Sequence, residues 1–309
     1  MDKVLVIAGP TASGKTDLAV DLALMVNGEI ISADSMQIYR GMDIGTAKPS
    51  MEERQGIEHH MIDIVDPDEE FSVARFKDGA VKCIQDILKR GKVPVVVGGT
   101  GLYINSLVYN VTFSETMNDW DYRKYLRDYA QRNGPEALHK LLEKADPVSA
   151  AEIHPNNIKR VIRALEVYKT TGKPISQHKL ESRLEKPAYD YKIFGLEVER
   201  NLLYERIEQR VDKMMELGLY QEVEGLLAHG YSPGLVSLQG IGYKEIILAI
   251  QGKCSLSGAV EQIKLGTRHF AKRQMTWFRR TEGLKWINTG IFNKRAMLKI
   301  LSDTLNVKD

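Results

Sequence analysis

Residues 9–16 read GPTASGKT and follow the apolar run Val4-Leu5-Val6-Ile7-Ala8. The stretch fits G-x-x-x-x-G-K-[ST], a phosphate-gripping loop, in the context the pattern requires: a strand before it and a helix after it. Glycines in such a loop let backbone N–H groups turn toward phosphate oxygens at a helix N-terminus, whose dipole favours anions. Lys15 would neutralise the outer phosphates and the Thr16 hydroxyl would ligate Mg²⁺, with Gly9, Pro10, Thr11, Ala12, Ser13 and Gly14 shaping the grip. A nucleotide triphosphatase or kinase is the immediate implication. The pattern alone does not say whether the phosphates are transferred or discarded.

Outward from the loop, strand and helix signals alternate through the first hundred residues, which implies an α/β fold with a parallel sheet covered by helices. A strand over 3–8 leads into the loop helix. Glu29 to Ala33 reads as a second strand, and Met61 to Val65 as another. Ser72 caps a helix that runs to Arg90 and stops at Gly91, and Val93 to Val97 is a buried strand. Beyond about residue 115 the character becomes helical, with helices over 121–132, 136–144 and 157–171. Tyr191 to Leu196 reads as a strand returning to the sheet. The expected organisation is therefore a core of residues 1–115 plus 190–309, with an all-helical insertion over about 116–189. Two amphipathic helices (201–217 and 219–229), a basic helix, a strand near 285–287 and a closing helix complete it.

The chain has 309 residues, 43% of them hydrophobic and 27% charged, enough for a substantial core. Its 43 Lys and Arg nearly balance 41 Asp and Glu, so net charge identifies no partner. Between Gln262 and Thr281, however, Lys264, Arg268, Lys272, Arg273, Arg279 and Arg280 occur with no acid. Such a local stripe fits a nucleic-acid backbone better than a merely solvated face, which mixes signs. Cys83 and Cys254 are isolated, which argues against a disulfide framework and a structural zinc site. Cys83 is expected to be an inert core thiol. The first strand starts at residue 3 or 4 without a basic-then-apolar leader, and no apolar run is long enough to cross a bilayer, so a cytoplasmic protein is expected.

Asp34 ends the second strand, where ligands sit in open α/β sheets. It could hold a metal-bound water, act as a base, or merely close an Asx-turn, and these readings remain open. The loop from Gln37 to Pro49 is long for a compact domain, which points to a functional segment. Gly98-Gly99-Thr100-Gly101 is a tight strand-to-helix turn or a pocket wall. Arg206 and Arg210 share a helix face and suit phosphate oxygens, although Glu205 and Glu208 offer a plain solvated alternative.

Together GPTASGKT, ISADSMQIYRGMDIGTAKP, VVVGGTGLY, HPNNIKRVIRALEVY and LQGIGYKE resemble the tRNA dimethylallyltransferases, in the family's order and from the N-terminus to about residue 287. The two isolated cysteines leave no zinc finger of the eukaryotic kind, so the resemblance is to the bacterial form. It implies a P-loop kinase-like core in which the loop grips the diphosphate of dimethylallyl diphosphate with Mg²⁺ at Thr16. It also implies an adenine flipped from the anticodon stem-loop of tRNA, with Asp34 taking the proton of its N6 amine. Arg206 or Arg210 would close over the diphosphate. Ser35, Met36, Gln37 and Thr100 would line the channel around the base. Contacts to tRNA are implied at Arg123, at Lys159, Arg160, Val161, Ile162 and Arg163, and at Gln239, Gly240, Ile241, Gly242, Tyr243 and Lys244. Arg268, Lys272 and Arg273 would track the anticodon stem. No membrane is involved, and the protein is expected to act as a monomer. The alternatives are a small-molecule kinase, which would consume ATP, and a prenyltransferase acting on free adenine nucleotides, for which a helical insertion has no use. A GTP-switch RNA-binding protein lacks support, since no guanine-reading NKxD motif occurs.

Overall fold

In a computed structural model, residues 1–111, 119–184 and 186–306 are described. Close contacts group the chain into two compact units, Met1–Asn105 with Ala188–Asp309, and Ser106–Pro187. The insertion boundary expected at about 116 falls outside the described residues.

The first unit is built on six parallel strands: β1 (Lys3–Ala8), β2 (Gly28–Ser32), β3 (His59–His60), β4 (Val93–Gly98), β5 (Asp190–Glu197) and β6 (Lys285–Asn288). Their order is β3-β2-β4-β1-β5-β6. Near-continuous apolar runs such as Val4 to Ala8 and Val95 to Val97 suit strands buried on both faces. On one face Leu5, Ile7, Ile30, Val95, Val97 and Phe194 pack with Leu18 and Leu22 of α1 (Lys15–Val26). Short α2 (Met51–Arg54) precedes β3, and α3 (Val73–Lys89) begins at Ser72, whose side chain accepts the Arg75 N–H. Glu29 alternates with Ile30 and so faces the other side, where Arg90 after α3, Lys92 and His60 hold its buried carboxylate. Helices thus cover both faces.

The run Met61 to Val65 is not a strand. Met61 and Asp63 sit at φ 63° and 55°, and only Val65 bridges to Tyr39. The segment instead pairs irregularly with the long loop, the Ile64 N–H donating to Ile38 O at 2.8 Å and the Asp63 N–H to Gln37 O at 3.2 Å. Both segments are therefore ordered parts of one wall.

The second unit begins in α4 (Gly101–Val108) and contains α5 (Trp120–Asn133), α6 (Pro135–Ala145), α7 (Pro147–Glu152), α8 (Ile158–Thr171) and α9 (Ile175–Leu184). The turns at α7 and α9 are helices not anticipated from the sequence. Leu126, Leu138, Leu142, Val161, Ile162 and Leu165 form its apolar core. Glu166 is fully buried and accepts from Arg123, Arg163 and the Asp119 N–H. Burial pushes this carboxyl up, but the two guanidinium groups and the N–H outweigh it, leaving Glu166 below the ordinary carboxylate value.

After β5 the first unit continues with α10 (Arg200–Glu216), α11 (Leu219–Ala228), α12 (Tyr243–Ile250), α13 (Leu256–Phe278) and, after β6, α14 (Lys294–Asn306). Helices α10 to α13 share a second apolar core with Ile38, Tyr39, Met42 and Val65. Among the described residues no helix is long and apolar enough to cross a membrane.

At the carboxyl ends of β2 and β4 the backbones nearly touch. The Ala33 N–H donates to Val97 O at 2.7 Å, and a Cβ added at Gly98 would lie 2.1 Å from Ala33 O. Gly98→Ala must push β2 and β4 apart. The expected loss is about 1–3 kcal/mol, typical of overpacking, measured as a lower urea midpoint with an unchanged m-value.

Candidate active site

The phosphate loop ends at Gly14, whose φ of 82° allows its carbonyl to start α1. Ala12 packs from inside the loop against Val198, Leu203 and Ile207 near α10 and Ala271 of α13. Ser13 is buried, and its hydroxyl has no hydrogen-bond partner among the described residues. A buried hydroxyl left open is costly, and Ser13 does not line the cavity described next. The Lys15 ammonium donates to Pro10 O at 3.2 Å, folded back across the loop. Burial, then the charge of Arg210, depress its pKa to about 8, while Asp34 partly offsets them. These three charges therefore share one chamber.

That chamber is a cavity of about 440 Å³, within the usual size range of small-ligand sites. Thr11, Lys15, Thr16, Asp34, Ser35, Met36, Gln37, Thr100 and Arg210 line it. Arg210 donates to Thr11 Oγ1 at 3.4 Å, and burial lowers its pKa. Arg206, one turn away along α10, does not line the cavity. Of the two arginines, only Arg210 is brought to the loop.

Asp34 closes the Asx-turn, its Oδ1 accepting the Met36 N–H at 2.9 Å, and it also lines the cavity. The Ser35 N–H donates to Thr100 Oγ1 at 3.0 Å, so the turn after β4 holds the Asp-Ser pair. Gln37 Oε1 accepts from Ser32 Oγ at 2.9 Å, and its Nε2 donates to Ala47 O at 3.1 Å. The long loop thereby becomes the opposite wall.

The downstream segments divide. Gln239, Gly240, Ile241, Gly242, Tyr243 and Lys244 also line the cavity. Tyr243 is fully buried and donates to Glu222, so its side chain is a support and reaches no surface. In the second unit Lys159 and Arg160 are exposed. Val161 and Ile162 are core residues, which corrects their assignment as nucleic-acid contacts, and Arg123 and Arg163 are engaged by Glu166. On α13, Lys264 pairs with Asp212 and Arg268 with Glu208, acids supplied by α10. Lys272 and Arg273 are exposed with no ion pair among the described residues.

Sequence reasoning missed three supports. Gln274 is buried, its Oε1 accepting the Thr11 N–H at 2.9 Å and its Nε2 donating to Gly99 O at 3.0 Å. Its position in the apolar stripe Ile263, Ala271, Phe278 of α13 was the available signal. Glu222 accepts the N–H groups of Asp43, Ile44 and Gly45 at 2.9, 2.7 and 3.0 Å. His59 is a third, one of the residues lining the cavity.

Fold and cavity together define an α/β protein whose P-loop sequence and a strand-end carboxylate line one cavity. The IPP transferase family model matches residues 37–281 and an isopentenyl transferase model matches residues 2–68. The chain belongs to the IPP transferase family. A tRNA dimethylallyltransferase of Acetivibrio thermocellus is 57% identical over 95% of this chain and 94% of its own length. The crystal structure of the full-length tRNA isopentenylpyrophosphate transferase of Bacillus halodurans is similar with a TM-score of 0.74 and 43% identity, covering 99% of this chain and 96% of that one. A eukaryotic dimethylallyltransferase captured acting on tRNA has a TM-score of 0.82 and 31% identity, covering 99% of this chain and 80% of that one. These similarities favour prenyl transfer over the small-molecule kinase.

The depressed Lys15 pKa has a measurable consequence. An anion over the loop favours the protonated amine, so binding takes up a proton once the pH exceeds about 8. Titration calorimetry with an alkyl diphosphate should show affinity falling above pH 8, approaching about tenfold per pH unit. Lys15→Arg should abolish that slope between pH 8 and 10.

Proposed function

We propose that the protein transfers a dimethylallyl group from dimethylallyl diphosphate to N6 of the adenine immediately 3′ of the anticodon in tRNA, releasing diphosphate. The observation that carries this reading is the single cavity uniting Lys15, Thr16 and Arg210 with Asp34 and Thr100. Family membership supports the reaction class.

An exocyclic adenine amine is a weak nucleophile because its lone pair is delocalised into the ring. As its bond to C1 of the donor forms, Asp34 accepts the amine proton. The C1–O bond breaks and its electron pair leaves with the diphosphate. Charge growing on the diphosphate is met by the loop N–H groups, Lys15 and Arg210. Ser35, Met36, Gln37 and Thr100 surround the flipped base, and displacing water there keeps the allylic carbon from hydrolysis.

Among the described residues no cluster of three or more His, Cys, Asp or Glu could cage a metal ion. The oxygen donors present, the Thr16 hydroxyl with the Asp34 carboxylate nearby, fit Mg²⁺ carried largely by substrate phosphates. Thr16 would hold it. When bound, Mg²⁺ supplies positive charge against the diphosphate oxygens. Exposed Lys159, Arg160, Lys272 and Arg273 are the residues assigned to the anticodon stem-loop. The protein works as a monomer in the cytoplasm, where its tRNA is found.

The test is to offer dimethylallyl diphosphate and ATP in parallel with Mg²⁺ and tRNA. Nucleoside mass spectrometry should show one C5 unit added to adenosine and no ATP consumed; ATP turnover with no C5 product would reject the reading. Asp34→Asn keeps an acceptor for the Met36 N–H but not the base. It should lose about 10²–10⁴-fold in kcat with tRNA affinity nearly unchanged. Loss of affinity with retained turnover would contradict the assignment.

A further inference from the structure

One wall of the cavity is made by backbone that no strand or helix fixes. Gly45, Thr46, Ala47 and Pro49 line the cavity beside Gln37, and all four lie in turns or irregular chain. Their anchor comes from α11. Glu222 Oε2 accepts the N–H groups of Asp43 and Ile44, while Oε1 accepts that of Gly45 and the Tyr243 hydroxyl, the last at 2.7 Å. Successive N–H groups converging on one point form a concavity suited to an anion. Here a carboxylate remote in sequence fills it. Burial and the Glu222 charge both raise the Tyr243 pKa, so the tyrosine remains a donor.

From this anchor the turn closes first on itself and then on the site. The Lys48 N–H donates to Asp43 O and the Ala47 N–H to Ile44 O, each at 3.0 Å. The carbonyls of Thr46 and Ala47 receive Gln37 Nε2 at 3.4 and 3.1 Å, and Ser32 Oγ donates to Gln37 Oε1. An amide tethered on both of its polar atoms keeps one orientation. Gln37 is therefore aimed by carbonyls whose own place is set by Glu222, and Glu222 does not itself line the cavity.

We infer that Glu222 is a positioning residue for the acceptor base: through the turn at 43–47 it fixes Gln37 and the wall against which the adenine is set. This rests on the prenyl-transfer reading. The donor side is braced separately, because Gln274 of α13 and Arg210 of α10 hold Thr11 of the phosphate loop. Loosening the wall thus spoils the approach of N6 to C1 and leaves the diphosphate grip intact.

The test uses the full chain with tRNA and dimethylallyl diphosphate. Glu222→Gln keeps the size of the side chain but sets an NH₂ group against backbone N–H donors. It should lower kcat about 10–100-fold, as small misplacements of reactants do. Binding of tRNA, and of an unreactive donor analogue with sulfur for the bridging oxygen, should stay as in wild type. A Cβ at Gly45 would lie 2.5 Å from the Tyr243 ring, so Gly45→Ala displaces the turn while leaving the carboxylate in place, and it should give the same split. Combining Glu222→Gln with Gln37→Met should fall no more than about twofold below the worse single variant, because residues acting through one wall are not additive. Unchanged kcat in Glu222→Gln, donor binding lost together with kcat, or losses that multiply in the double variant overturn the inference. So does a kcat loss that merely follows the folded fraction, read from thermal midpoints recorded for every variant. Should Glu222→Gln fail to fold, Gly45→Ala alone and with Gln37→Met decides by the same criteria. Wild-type protein that transfers no C5 unit would instead strike the parent reading, so the two failures are distinct.

Discussion

One carboxamide ties the site together. Gln274 receives the Thr11 N–H on one atom and gives a hydrogen to Gly99 O on another. It joins the phosphate loop, the turn after β4 and helix α13, three segments far apart in the chain. Buried amides of this kind cost a good deal when unpaired, and here both halves are satisfied, so the network fixes one arrangement. Thr100 then holds Ser35, and through it the segment bearing Asp34. The distance between the group that grips phosphate and the group that accepts a proton is set by this chain of contacts rather than by either residue alone.

Charge in this protein is managed by distant partners. The stripe on α13 has no acid in its own sequence, yet α10 lays Glu208 and Asp212 against Arg268 and Lys264. What remains unpaired is a narrower set toward the C-terminal half of that helix. Arg123 and Arg163 are likewise drawn to Glu166. Since removing one partner of a buried ion pair is strongly destabilising, those arginines serve the integrity of the second unit. The Arg268–Glu208 pair is only partly buried and can exchange partners when a polyanion approaches.

Much of the fold was legible because its signals are local. GPTASGKT between a strand and a helix, Ser72 as a cap and the buried valines of β4 depend on neighbours in sequence. The failures share an opposite cause. Met61 to Val65 has strand composition, but its backbone visits positive φ to follow the long loop, a choice made by tertiary packing. Asp34 and Arg210 were legible as types, and the resemblance supplied a role for Asp34; only the fold shows that Arg210 and not Arg206 reaches the cavity. Gln274 and Glu222 act entirely through groups remote in sequence.

The strand order has a consequence for how the molecule comes into being. β1, which launches the phosphate loop, lies between β4 and β5, with Lys3 opposite Asp190. Lys3 also donates to the carbonyls of Thr304 and Leu305 near the other end of the chain. On a ribosome the loop emerges first, but half of its sheet environment and the helix bearing Gln274 emerge last. Contacts of such long sequence separation slow folding, and the early strands must wait with one edge open, a state in which nascent chains are prone to aggregate. The second unit, whose contacts are local, can close during that wait. The earliest-synthesised element of the site is therefore the last to acquire its working shape.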